Sequence, residues 1–205
     1  VKTSRIIFSV IIPAFNEEQY IGHTLSSINE FPPPRPYEVI VIDNNSTDGT
    51  PEIARVHGAK VITCPDNTIA AVRNRGVQHS HGEYLIFLDA DVRVTNEWHI
   101  GMSKIHKLLA DNPMVITGSR CLPLDDRSWL NRYWFSLLNR HKGSYINSGH
   151  LITTKLLFQR INGFSETLNT AEDYDFCVRA NTIGAVIIDS DFIPVIHYGY
   201  PSSII

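Results

Sequence analysis

The chain has 205 residues, 43% hydrophobic and 19% charged, which suits one ordinary domain of the roughly 50–250 residues usual for such units. Its 18 basic and 21 acidic residues leave a net charge of −3, so there is no general attraction to nucleic acid. Cys64, Cys121 and Cys177 are too few and scattered for a disulfide framework or a zinc knuckle, and no apolar run reaches the roughly 20 residues that span a bilayer. A reducing, cytoplasmic setting is the simplest fit.

Ile6 to Ile12 is almost continuously apolar, the mark of a strand covered on both faces, and no signal-peptide cleavage site follows it. Asn16 is placed to cap the next helix, with Gln19 closing a capping box. That helix carries Tyr20, Ile21, Leu25 and Ile28 and must end before Pro32-Pro33-Pro34. Val39 to Ile42 is a second strand running into Asp43, and Thr50 and Pro51 suit the cap and first position of a short helix. Lys60 to Thr63 is a third strand, Asn67 heads a helix to about Gln78, and Tyr84 to Leu88 is a fourth buried strand.

Beyond Asp91 the pattern predicts a helix over Asn96 to Leu109 and a strand over Val115 to Thr117. An aromatic-rich helix over Trp129 to Leu138 and a helix from Ala171 to about Ala180 follow. Strands alternating with helices give an α/β class: a mostly parallel sheet with helices on both faces, binding ligands beyond the carboxyl ends of its strands. One globular unit with two lobes, 1–91 and 92–205, is expected. The end after Tyr200-Pro201 fits a piece of a longer chain, which leaves room for membrane segments beyond it.

Asp89-Ala90-Asp91, at the mouth of the fourth strand, is either a turn with two solvated acids or a seat for a hard divalent cation. Two carboxylates raise each other's pKa, and Mg²⁺ or Mn²⁺ shared with phosphates relieves that conflict. The loop Asp43 to Thr50 is dense in short hydrogen-bonding side chains; it either reads a base or ribose or closes on itself as a turn. Arg73 in Arg73-Asn74-Arg75-Gly76 either contacts a diphosphate or is solvated. Glu172 and Asp173 are either dipole companions at a helix start or a site for a general base. His197 is either structural or a nitrogen ligand to the same cation.

Six segments in register resemble the family 2 glycosyltransferases. They are Ser9-Val10-Ile11-Ile12-Pro13-Ala14-Phe15-Asn16-Glu17-Glu18, Val41 to Thr50, Arg73 to Gly76, Gly82 to Asp91, Ile161 to Glu166 and Glu172 to Arg179. The resemblance covers nearly the whole chain and implies a Rossmann-like GT-A fold. It implies that Pro13, Phe15, Glu17, Asp43, Asp48, Arg73, Asp89 and Ala90 bind a nucleotide sugar. It further implies that Asp91 and His197 bind Mn²⁺ or Mg²⁺, and that Asp173 is the catalytic base with Glu172 beside it. Lobe 1–91 would then bind the donor, and lobe 92–205 would bind the acceptor and carry the base. Similar enzymes invert the anomeric centre in a single displacement.

Two departures shape the expectation. Val92-Arg93 replaces the extra acid seen in many relatives, and the Gln/Arg-x-x-Arg-Trp motif of processive synthases is absent after Asp173, which points to a single sugar added per encounter. Residues 127–142, with Trp129, Arg132 and Trp134 expected at the acceptor, either pack an aromatic face on the sheet, the favoured reading, or dock on an anionic bilayer. The acceptor is then a small molecule, a glycan or a polyprenyl phosphate, and docking would make the protein peripheral on the cytoplasmic face. The rival readings are a non-catalytic nucleotide-sugar or glycan-binding module and a haloacid-dehalogenase-like phosphohydrolase. Against the latter, Arg93 stands where Thr or Val is common. Pro13-Ala14-Phe15-Asn16 in place of a glycine-rich turn argues against a dinucleotide oxidoreductase.

Overall fold

The computed structural model describes residues 5–66, 68–124 and 145–198. The expected helix over 129–138, and with it Trp129, Arg132 and Trp134, lies outside the described residues.

The first half alternates β1 (Phe8–Ala14), α1 (Ile21–Glu30), β2 (Tyr37–Asp43), α2 (Thr50–Val56), β3 (Lys60–Thr63), α3 (Ile69–Gln78) and β4 (Tyr84–Leu88). Then come β5 (Val92–Val94), α4 (Asn96–Asp111), β6 (Val115–Gly118), β7 (Cys121–Pro123), β8 (His150–Thr154) and α5 (Lys155–Arg160), and lastly α6 (Glu172–Thr182), β9 (Val186–Asp189) and β10 (Val195–His197). Seven strands form one sheet in the order β3-β2-β1-β4-β8-β6-β9. It is parallel except around β8, which runs antiparallel to both β4 and β6.

Every residue of β1 and β4 is buried, as the nearly continuous apolar run of β1 and the unbroken one of β4 require. Alternation along the strands divides those side chains between two cores. Val10, Ile12, Ile86 and Leu88 pack with Ile21, Leu25 and Ile28 of α1 and with Trp98, Met102 and Ile105 of α4. Ile11, Leu85 and Phe87 meet Ala70 and Val77 of α3, Leu157 and Phe158 of α5, and Phe176 and Cys177 of α6. Helices therefore cover both faces, in the Rossmann-like layering expected. Gly76 shows how closely α3 lies on the sheet: a Cβ there would sit 2.3 Å from Ile11 Cγ2.

Three helix starts differ by small steps from the sequence reading. Asn16 does not cap α1. Its φ of 56° places it in the left-handed region that asparagine tolerates, and Tyr20 stands at the cap without a side-chain bond. Asn16 Oδ1 instead accepts from the Thr47 N–H at 2.8 Å, and its own N–H donates to Ser46 Oγ at 2.9 Å, tying the loop after β1 to the loop after β2. Thr50 is the first residue of α2, behind Gly49. The cap of α3 is Thr68, accepting from the Ala71 N–H at 3.2 Å, while Asn67 lies outside the described residues.

A second, three-stranded sheet in the order β5-β10-β7 sits at the carboxyl end of β4. Its pairing sets His197 opposite Val92, and the Tyr198 N–H donates to the Asp91 carbonyl at 2.9 Å. A residue 106 positions away in the chain is thereby brought beside the acid triplet.

Candidate functional site

The site lies where the first four strands end. Asp43, the last residue of β2, is 2% exposed and accepts from the Ser46 N–H at 3.2 Å. Asp48 accepts from the Thr50 N–H at 3.0 Å and the Glu18 N–H at 3.2 Å. Both carboxylates thus help to set the shape of their loop. A cavity of about 420 Å³ opens beside it, lined by Pro13, Phe15, Glu17, Arg73, Asp89–Asp91 and His197, with Asn44 rather than Asp43 at its wall. Phe15 is 57% exposed at its rim, although it is a large apolar ring.

Acids crowd this mouth. Burial first, then Asp91, Asp89 and Asp48, push the Glu17 carboxyl up to about 7. Burial also pushes Asp91 above the usual carboxylate range; His197 opposes that shift and Asp89 adds to it. His197 Nε2 lies 3.4 Å from Asp91 Oδ2. An acidic pocket raised in this way is the environment that a hard divalent cation stabilises. Among the described residues no group of three metal-ligating side chains gathers. The arrangement still fits Mg²⁺ or Mn²⁺, ions that commonly take one or two protein ligands and complete their shell with water and substrate phosphates. Asp91 and His197 are the two side chains that would hold the ion.

Behind the mouth runs a buried ion network. Arg73 is 3% exposed, so it is not a solvated surface arginine. One terminal nitrogen donates to Asp89 Oδ1 at 2.9 Å and the other to Glu172 Oε1 at 2.6 Å. Ser148 Oγ donates to the same Glu172 oxygen at 3.2 Å. Asp89 and Asp91 therefore do different work: the first is locked to Arg73, the second faces His197. Gly149 is needed here because a Cβ would come within 2.8 Å of Asp89 Oδ2.

On the far side of Arg73 a larger cavity of about 800 Å³ is lined by Tyr145, Asn147, Ser148, Glu172, Asp173 and Tyr174, and it shares Arg73 and Asp89 with the first cavity. Ala171, at φ 61°, turns the chain so that Glu172 and Asp173 enter α6 facing inward. Asp173 is 7% exposed and accepts from the Ser148 N–H at 3.2 Å and the Tyr174 N–H at 2.7 Å. Burial, and then Glu172, hold its carboxyl above the usual range. Tyr145, Asn147, Ser148 and Gly149 escaped the sequence reading. The short polar run 147–149 has no diagnostic spacing and acquires its role only by lying against Asp89 and Asp173.

Residues 9–173 match the family described as Glycosyl transferase family 2. The chain belongs to that family. The match begins in β1 and ends on Asp173, so it contains both cavities' acids. Amylovoran biosynthesis glycosyltransferase AmsB of Erwinia amylovora is 30% identical over 205 residues, covering 87% of this chain and 65% of that protein. Glycosyltransferase AglE of Haloferax volcanii is 38% identical over 104 residues, covering 47% and 34%. The chain thus spans less than two thirds of either relative. Among solved structures, the mannosyltransferase PcManGT from Pyrobaculum calidifontis, in complex with GDP-Man and Mn2+, superposes with a TM-score of 0.74 at 22% identity over 95% of this chain and 57% of that one. S. aureus TarS 1-349 gives 0.72 at 23% identity over 94% and 60%. The shared architecture is the GT-A-like fold.

Proposed function

We propose that this chain is the catalytic unit of an inverting, metal-dependent glycosyltransferase that moves one sugar from a nucleoside diphosphate to a hydroxyl or polyprenyl-phosphate acceptor. The observation that carries this reading is the pair of cavities sharing one wall, Ile69, Arg73 and Asp89, with an acidic mouth on one side and a buried carboxylate on the other. A complex with GDP-Man and Mn2+ in a protein of the same fold supports it. Residues 1–91 supply most of the donor side and residues 92–205 supply the base.

In this reading Pro13, Phe15, Glu17 and Ala90 border the nucleotide, while Asp43 and Asp48 set the loop beside it. Asp91 and His197 would hold a divalent ion, which would supply charge neutralisation to the departing diphosphate. Asp173 takes the proton from the acceptor hydroxyl. The freed oxygen attacks the anomeric carbon, and the bond from that carbon to the diphosphate oxygen breaks, inverting the centre. Two backbone N–H bonds fix Asp173 for this, and its raised pKa makes it a stronger base than a solvated aspartate. The free thiols Cys64, Cys121 and Cys177 fit a reducing, cytoplasmic compartment. No helix among the described residues is long and apolar enough to cross a membrane.

The test is calorimetry of UDP, GDP and dTDP with and without Mn²⁺, paired with turnover of the corresponding nucleotide sugars. Asp91→Asn removes the metal-stimulated part of nucleotide binding. Asp173→Asn keeps nucleotide binding and loses turnover by about 10²–10⁴-fold. Equal metal-stimulated affinity in Asp91→Asn and wild type overturns the metal assignment. Wild-type turnover in Asp173→Asn overturns the base.

A further inference from the structure

Resting on the glycosyltransferase reading, we infer that the acceptor is a saccharide, seated with its apolar ring face on the side chain of Tyr174. The larger cavity, about 800 Å³, falls within the roughly 300–1,000 Å³ of small-molecule sites. Its rim is aromatic. Tyr174 is 51% exposed although it stands in the first turn of α6, directly after Asp173. Tyr145 meets it edge-on, with ring centroids 5.8 Å apart and planes at 79°, so the Tyr174 ring is braced from one side.

The chemistry of the floor selects the same ligand class. Asn147, Ser148 and Thr170 offer amide and hydroxyl groups, the partners that sugar hydroxyls take. The charges lining the cavity, among the described residues, are Asp89, Glu172 and Asp173 against Arg73. Arg73 already engages Asp89 and Glu172. A phosphate head brought to Asp173 meets like charge, whereas a neutral hydroxyl meets a base. A pyranose presents C–H groups on one face and hydroxyls at its edge, which matches an aromatic rim over a polar floor. The Tyr174 backbone N–H also holds Asp173 Oδ1, so the stacked sugar and the base are registered by one residue.

The experiment uses the whole chain, Mn²⁺ and each nucleotide sugar found to bind, with methyl glycosides of glucose, galactose, mannose and N-acetylglucosamine as one acceptor arm. Farnesyl phosphate is the other arm. Transfer to a glycoside, or saturation transfer from the protein to one, is expected. Tyr174→Ala raises the glycoside KM about tenfold or more, and Tyr174→Phe restores it, because stacking and apolar contact need the ring but not the phenol oxygen. The backbone N–H that holds Asp173 survives in both variants. Acceptance of farnesyl phosphate in place of every glycoside, silence of all glycosides in both readouts, or a wild-type KM in Tyr174→Ala overturns the inference. Nucleoside diphosphate binding, measured alongside, separates the two failures. If it is present, only the acceptor assignment falls; if it is absent, the glycosyltransferase reading falls with it.

Discussion

Replacing Arg73 with methionine keeps most of the buried stem and removes a charge shared by two carboxylates. Opposite charges about 4 Å apart interact by roughly 4 kcal/mol at an effective dielectric of 20. The side chain of Glu172 is 8% exposed and that of Asp89 33%, so the Asp89 contact is discounted for solvent screening. The guanidinium's own desolvation offsets part of the remainder. Truncating one partner of a buried pair typically costs about 3–5 kcal/mol because the other charge is stranded. Near the midpoint that lowers Tm by about 10 °C for a domain of this size. Urea denaturation of wild type, Arg73→Met, Glu172→Gln and the double variant is the assay. If the stranded Glu172 charge is the cause, the double variant recovers more than half the loss. Arg73→Met within about 1 kcal/mol of wild type, or additive losses in the double variant, refutes the reasoning.

Three further outcomes are expected. His150 is fully buried; its Nε2 accepts from Trp98 Nε1 at 2.9 Å, and burial pushes its pKa down to about 3. The unfolded chain therefore binds a proton that the folded chain refuses, so stability present above about pH 6.5 is lost on acidification, by about 1.4 kcal/mol per pH unit until the folded pKa is reached. Urea titrations between pH 7.5 and 5 should show this slope disappear in His150→Gln, and an unchanged slope rejects it. For turnover, Asp173 must be ionised, so kcat/KM falls as pH drops through a midpoint above the ordinary value of about 3.9. Because Glu172 helps raise that pKa, Glu172→Gln should move the limb to lower pH in a rate–pH profile; a shift upward contradicts the assignment. Gly149→Ala places a methyl 2.8 Å from Asp89 Oδ2 and 2.9 Å from Asn147 Oδ1. It should cost about 1–3 kcal/mol by melting and weaken nucleotide binding, and unchanged binding by calorimetry would show that Asp89 is free to move.

Much of the donor half was legible in the chain itself. The nearly continuous apolar run of β1, the unbroken one of β4 and the proline cluster after α1 mark elements whose burial or backbone chemistry is local. Asp89-Ala90-Asp91 and Glu172-Asp173 stood out because carboxylates crowded at element ends need a physical explanation. Helix starts were less legible: Asn16 has the right side chain for a cap, yet bonding across to Ser46 and Thr47 outcompetes that role. Short strands such as β5, β7 and β10, with three residues each, show no period long enough to detect.

Layering and family are written in the linear chain, because hydrophobic periodicity is local and the six segments stand in order along it. Which charges meet is settled by the folded arrangement alone. Arg73 bridges residues 16 and 99 positions away, and His197 reaches Asp91 through pairing of β10 with β5. Electrostatic partnership depends on distances of a few ångströms across the fold, and no one-dimensional spacing encodes those. The arginine that spacing alone leaves open between a diphosphate contact and surface solvation becomes, once folded, part of the shared wall between the two cavities.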